Sequence, residues 1–220
     1  MRMITALITG CILSAFILST TPVLAAAGKA TYQVTITNLT PGQPFAPVMA
    51  AIHRSGISFF EEGQAPSDEL ARLAEAGDGQ PMADKLLALP GVSDAQLSTT
   101  GLTFPGNSTT VMVSARRGTN KISVGAMLGA TNDAFFAIKD VPLPKGRHAS
   151  TYLANAYDAG SETNDELSST VAGLGGEGYS PNDSGEGFVH IHGGVQGIGD
   201  LAPTMDWRNP VAKIVIQRVK

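Results

Sequence analysis

Between residues 31 and 37 polar and apolar side chains alternate strictly. Tyr32, Val34 and Ile36 are interleaved with Thr31, Gln33, Thr35 and Thr37, and the run stops at Asn38, Leu39, Thr40, Pro41 and Gly42. A period of two puts successive side chains on opposite faces, so this segment buries its apolar residues together only as a β-strand. Residues 45–57, 108–115, 121–128, 135–138, 148–156, 188–192 and 211–219 are further apolar or alternating stretches, punctuated by Gly, Pro and Asn. Segments 108–115 and 121–128 read as neighbouring strands across the Arg116, Arg117, Gly118, Thr119, Asn120 turn. About eight short strands predict an all-β fold, an antiparallel β-sandwich or a barrel.

Two stretches depart from that period. Leu70, Leu73 and Ala74 follow helical spacing over 67–76, with Ser67 placed as an N-cap. Residues 82–89 suggest a second short helix, ended by Pro90 and Gly91. Together they predict a helical insertion near 66–89, packed on one end of the sandwich. Residues 160–187 are rich in Gly, Ser, Asn and acids and are expected to form a long surface loop.

The N-terminus reads as an address. Arg2 precedes an apolar run over 4–18, Ser19 to Pro22 breaks it, and Ala25, Ala26 and Ala27 supply small residues for cleavage. The run is shorter than the roughly 20 residues a membrane span requires. A cleaved signal peptide over 1–27 is expected, leaving one domain over 28–220 that is secreted or periplasmic. Cys11, the only cysteine, leaves with the signal; the alternative is that it is lipidated and tethers the chain. Without Arg2 the chain has 14 basic and 19 acidic residues, a net charge of −5. That balance argues against nucleic acid as a partner, and no further apolar run is of spanning length.

Two constellations carry chemistry. Acids cluster in segments expected to be loops: Asp133, after Asn132, precedes one strand, and Asp158, Glu162, Asp165 and Glu166 follow another. Hard cations such as Ca²⁺ take six to eight oxygen ligands, and loops at one end of a β fold can bring remote carboxylates together. Acids in polar loops are also, in most proteins, simply solvated. The second constellation is His190 and His192, which share a face at i and i+2 of a strand and suit Zn or Cu. Two imidazoles are an incomplete set; Asp200 or Asp206 is a candidate third ligand. The alternative is that both rings bond to loop backbone beside Gly193 and Gly194.

Three collinear segments resemble the spondin N-terminal domain family in its compact bacterial form. Residues 122–128 followed by Thr131, Asn132, Asp133, Ala134, Phe135 and Phe136 are similar to that family's apolar strand and Asp-Trp turn. Tyr157, Asp158, Ala159, Gly160, Ser161 and Glu162 resemble its Asp-Ala-Gly-Thr-Asp motif. Residues 206–218 resemble its closing Val-Ala-Arg-Val-Val-Ile-Glu-Arg strand. The resemblance implies a C2-like antiparallel β-sandwich with one Ca²⁺, whose ligands map onto Asp133, Asp158 and Glu162. Two positions depart from the family: Ala134 stands where it has Trp, and Glu162 where it has Asp.

The function implied is an exported calcium-binding module for extracellular or cell-surface binding or adhesion, whose ligand the sequence does not name. No Gly-x-Ser-x-Gly, His-Glu-x-x-His or cysteine nucleophile is present, and the chain is expected not to be an enzyme. Two rivals stand beside this reading: a Zn or Cu envelope enzyme using His190 and His192, and a metal-free structural envelope protein.

Overall fold

The computed structural model describes residues 29–182 and 184–220; the expected signal peptide and Cys11 lie outside the described residues. The element order is β1 (Ala30–Asn38), β2 (Met49–His53), α1 (Asp68–Ala76), α2 (Gln80–Ala88), β3 (Val92–Leu97), β4 (Ser108–Ala115), β5 (Lys121–Met127), β6 (Ala134–Pro142), β7 (Ser150–Asp158), β8 (His190–Ile191) and β9 (Ala212–Arg218). Hydrogen-bonded neighbours run β3-β2-β5-β6-β7-β9-β1-β4, with β8 added on β7. Every pairing is antiparallel.

A sandwich needs two separate sheets, and β7 removes the separation. Its first half, from Ser150 to Ala154, pairs with β9, while Asn155 to Asp158 pair with β6. The path is therefore continuous and nearly closed, barrel-like where a sandwich was expected. Its two ends, β3 and β4, meet through side chains: the Ser114 amide donates to Asp94 Oδ2 at 2.8 Å, and Ser93 Oγ donates to the Ser114 carbonyl at 2.8 Å. The expected β4–β5 hairpin does not form. Across residues 116–120 the chain instead crosses over, β4 pairing with β1 and β5 with β2 and β6.

The barrel interior is filled by Val34, Ile36, Phe45, Val124, Phe136, Trp207 and Ile214 among others. The Phe45 and Phe136 rings pack at 4.5 Å. A second core lies outside the wall, where Leu70, Leu73, Met82 and Leu86 of the helices cover Ala51, Phe59, Phe60 and Phe135. Ser67 caps α1, its Oγ accepting the Leu70 amide at 3.4 Å. Strand β2 is buried at all five residues because it lies between these cores, which explains why residues 45–57 lack alternation. Phe135 and Phe136 show the division, facing opposite sides of one strand. Among the described residues no helix is long and apolar enough to cross a membrane.

The strands leave the barrel with two opposed poles. At one, the 129–133 loop before β6 meets the long connection 159–211 after β7. At the other lie the 116–120 and 143–149 loops and the end of β9.

Candidate metal-binding loop cluster

Asp133 and Asp158 come together because β6 and β7 are neighbours. Asp133 is the residue before β6, and Asp158, the last of β7, pairs with Ala134. The Ala159 amide donates to the Asp133 carbonyl at 3.2 Å. Beyond Asp158 the chain turns at Gly160, in the left-handed region at φ 68°. A Cβ there would lie 2.4 Å from the Phe188 carbonyl oxygen, so only glycine fits. Asp158 Oδ1 stabilises the turn by accepting the Gly160 amide at 2.7 Å, and its Oδ2 accepts from Asn164 Nδ2 at 2.6 Å.

The turn directs two amides at Asp133. Its Oδ2 accepts from the Ser161 and Glu162 amides at 2.8 and 3.0 Å, and from Ser161 Oγ at 3.2 Å. Its Oδ1 is buried and accepts no hydrogen bond from the described residues. Burial, and then the negative charge of Asp158, push the Asp133 carboxyl up to about 7, against the pull of those donors. Asp133, Asp158 and Glu162 are all buried, and Asn132 Nδ2 reaches Glu162 Oε1 at 3.5 Å. One chain turn thus joins three carboxyl residues from two loops. Their separations are not those of finished coordination: among the described residues no group of three His, Cys, Asp or Glu side chains is poised to hold a metal.

The donor set nonetheless suits a hard cation. A buried carboxylate oxygen without a partner is costly unless a donor or cation meets it, and carboxylate oxygens with spare lone pairs are what Ca²⁺ selects.

The histidines flank the same carboxylate. His190 pairs with Asp158 in the β7–β8 register, and its Nδ1 lies 3.8 Å from Asp158 Oδ1; His192 Nε2 lies 3.8 Å from Asp158 Oδ2. His192 Nδ1 accepts the Gly194 amide at 3.0 Å, which leaves the proton on Nε2. Burial lowers the His192 pKa, and the Asp158 charge opposes that shift. The expected third ligands are engaged elsewhere. Asp200 accepts from Ser168, and Asp206 accepts from Val195 and Arg208. His53 is buried against Ser123 and Arg54.

Glu166 is the residue whose role the acidic run concealed. Its carboxylate accepts the backbone amides of Gln196, Gly197 and Ile198, the last two at 2.7 and 2.9 Å. Its carbonyl accepts the Asp200 and Leu201 amides at 2.9 and 3.1 Å. Burial opposes ionisation here, but the amides outweigh it and hold the pKa below the ordinary value. The surface loop expected over 160–187 is therefore anchored: Glu162, Glu166 and Val171 are buried.

A comparison of the chain with family models found no match, and a comparison with curated proteins found none.

Proposed function

We propose that the chain is an exported calcium-binding module of the spondin type, serving extracellular or cell-surface binding or adhesion. The observation that carries this reading is the buried Asp133 Oδ1, which accepts no hydrogen bond from the described residues and lies on the carboxylate that Asp158 repels. Asp133, Asp158 and Glu162 would hold the ion. Bound there, Ca²⁺ supplies positive charge that offsets the repulsion between carboxylates. The residues themselves set the loop shape: Asp158 orders the Gly160 turn, and Asp133 gathers the Ser161 and Glu162 amides. The reading needs loops that share one pole, which a barrel-like sheet provides as well as a C2-like sandwich.

Thermal unfolding in millimolar Ca²⁺ and in chelator tests it. For a dissociation constant on the order of 10⁻⁴ M, as in weak extracellular sites, one millimolar ion stabilises by about 1.4 kcal/mol. That raises Tm by roughly 3–6 °C, and Asp158→Ala abolishes the rise. Equal melting in both conditions would refute the site.

The zinc or copper reading has one observation in its favour, the approach of both His190 and His192 to Asp158. Elemental analysis of untagged protein separates the readings: calcium supports the module, zinc or copper the enzyme, and no metal the structural protein.

A further inference from the structure

The pole opposite the acidic loops has its own chemistry. Six of the chain's 15 Lys and Arg residues line two hollows there, and Lys145 lies in the same 143–149 loop. A cleft of about 590 Å³ is lined by Gly146, Arg147, Gln217, Arg218, Val219 and Lys220. A second hollow of about 500 Å³ is lined by Lys29, Arg116, Arg117 and Ser93. The strands join the two: Ala30 pairs with Ala115, Tyr32 pairs with Arg218, and the Thr31 amide donates to the Lys220 carbonyl at 3.0 Å. All six cations are exposed, and among the described residues none of them pairs with an Asp or Glu side chain, although Arg218 Nε donates to the Lys220 main-chain oxygen at 3.1 Å; the acids Asp94 and Asp140 are otherwise engaged. Asp94 accepts the Ser114 amide, and Asp140 accepts from Ser55 and pairs with Lys121. The segment 158–206, by contrast, carries no Lys or Arg. A chain of modest negative charge is thus strongly bipolar.

Several side chains of like charge held together with no Asp or Glu paired to them repel one another, and a polyanion relieves that repulsion. Two features narrow the partner. Loops 116–120 and 143–149 and the end of β9 contain no Phe, Tyr or Trp, and His148 is their one aromatic ring, so they lack the series of rings on which successive nucleobases stack. The cations also belong to separate loops around the rim of the pole, so a laterally extended anionic surface meets them together, whereas a single small anion reaches one hollow. We propose that this pole docks on bilayers bearing anionic phospholipids, with a headgroup phosphate seated among Arg147, Arg218 and Lys220. The proposal is independent of the calcium reading, because it uses the other end of the barrel.

Vesicle co-sedimentation of the full chain tests it, comparing pure phosphatidylcholine with an equimolar mixture of phosphatidylcholine and phosphatidylglycerol, both in chelator. The apolar residues 4–18 contribute to both vesicle types, so the preference for the anionic ones isolates the charge. The chain is expected to prefer anionic vesicles and to lose the preference in high salt. Each Lys or Arg near such a surface contributes roughly a fivefold gain in partitioning. The triple substitution Arg147→Gln, Arg218→Gln, Lys220→Gln therefore lowers binding on the order of a hundredfold, and Arg116→Gln with Arg117→Gln on the order of twentyfold. Equal partitioning onto both vesicle types, or anionic binding unchanged in both variants, overturns the proposal. So does binding that requires Ca²⁺, which assigns it to the acidic loops. Retention on duplex DNA or by inorganic phosphate, without a vesicle preference, overturns it in favour of those ligands.

Discussion

Replacing Asp133 with Asn tests the electrostatics of the acidic pole directly. The amide keeps the size of the carboxyl and an oxygen to accept the Ser161 and Glu162 amides, but it removes the charge next to Asp158. In the folded chain the Asp133 carboxyl ionises near 7 instead of 3.8. That difference corresponds to roughly 4 kcal/mol less favourable ionisation in the folded state. Below pH 3.8 both states hold the proton. As pH rises towards 7 the unfolded chain ionises first, so this residue's stabilising contribution falls and is lost above its folded pKa. Other carboxylates act in the opposite direction: burial resists the ionisation of Glu166 and Asp165, but hydrogen-bond donors hold both pKa values low. Their contribution appears as pH rises, so the informative quantity is wild type minus variant. In chelator, Asp133→Asn is expected to be the more stable protein at pH 8, by up to roughly 4 kcal/mol, or about 8–16 °C in Tm. The advantage shrinks on acidification and vanishes near pH 4. In saturating Ca²⁺ the order narrows or reverses, because the variant has one ligand charge fewer. Urea or thermal unfolding across that pH range measures the difference. A constant difference between the proteins from pH 4 to 8 would refute the argument, since it would mean that Asp133 carries no strained charge.

Two further outcomes follow from the same pole. Gly160→Ala brings a methyl group within 2.4 Å of the Phe188 carbonyl oxygen at a left-handed φ, and is expected to destabilise by about 2–4 kcal/mol in urea unfolding, with Ca²⁺ protection lost as well. Glu166→Ala leaves the amides of residues 196–198 without their acceptor; a loss of about 3 kcal/mol and faster hydrogen exchange confined to 193–201 are expected, whereas unchanged exchange there would show that the carboxylate does not anchor the loop.

Strands with one solvated face were legible in sequence. Strand β1 alternates in burial as its residues alternate in polarity, and β9 nearly so; β4 alternates in burial too, with Thr109 turned inward and Met112 outward. Strands covered on both sides were legible only as apolar runs, and β3 was not foreseen at all. Its Ser93, Asp94 and Gln96 look like loop residues, because Ser93 and Asp94 are used to close the seam with β4. The pairing of β4 with β1 was equally hidden. Residues 116–120 have hairpin chemistry, and only the far larger apolar match of β1 with β4 and β9 decides against it. At the acidic pole, Asp133, Asp158 and Glu162 were found through a resemblance in sequence. Their burial and the amides around them depend on where β6 and β7 lie. Glu166 was unreadable for the same reason: its partners are 30 residues and more away, and an acid followed by Gly-rich chain has no local sign of its role.

Strand β7 begins at Ser150, just past Arg147 in the cationic rim, and ends at Asp158. At about 3.3 Å per residue the nine-residue strand is roughly 26 Å long, and its tilt in a barrel-like sheet sets the two poles somewhat closer than that. Charges of opposite sign fixed at that distance on a rigid strand give the chain a large permanent dipole along the barrel axis. In the field of a negatively charged surface such a body experiences a torque before it makes contact. If it docks as proposed, the loops that carry Asp133, Asp158 and Glu162 face away from that surface. A strand that switches partners halfway along the sheet is thereby also the axis about which the molecule is aligned.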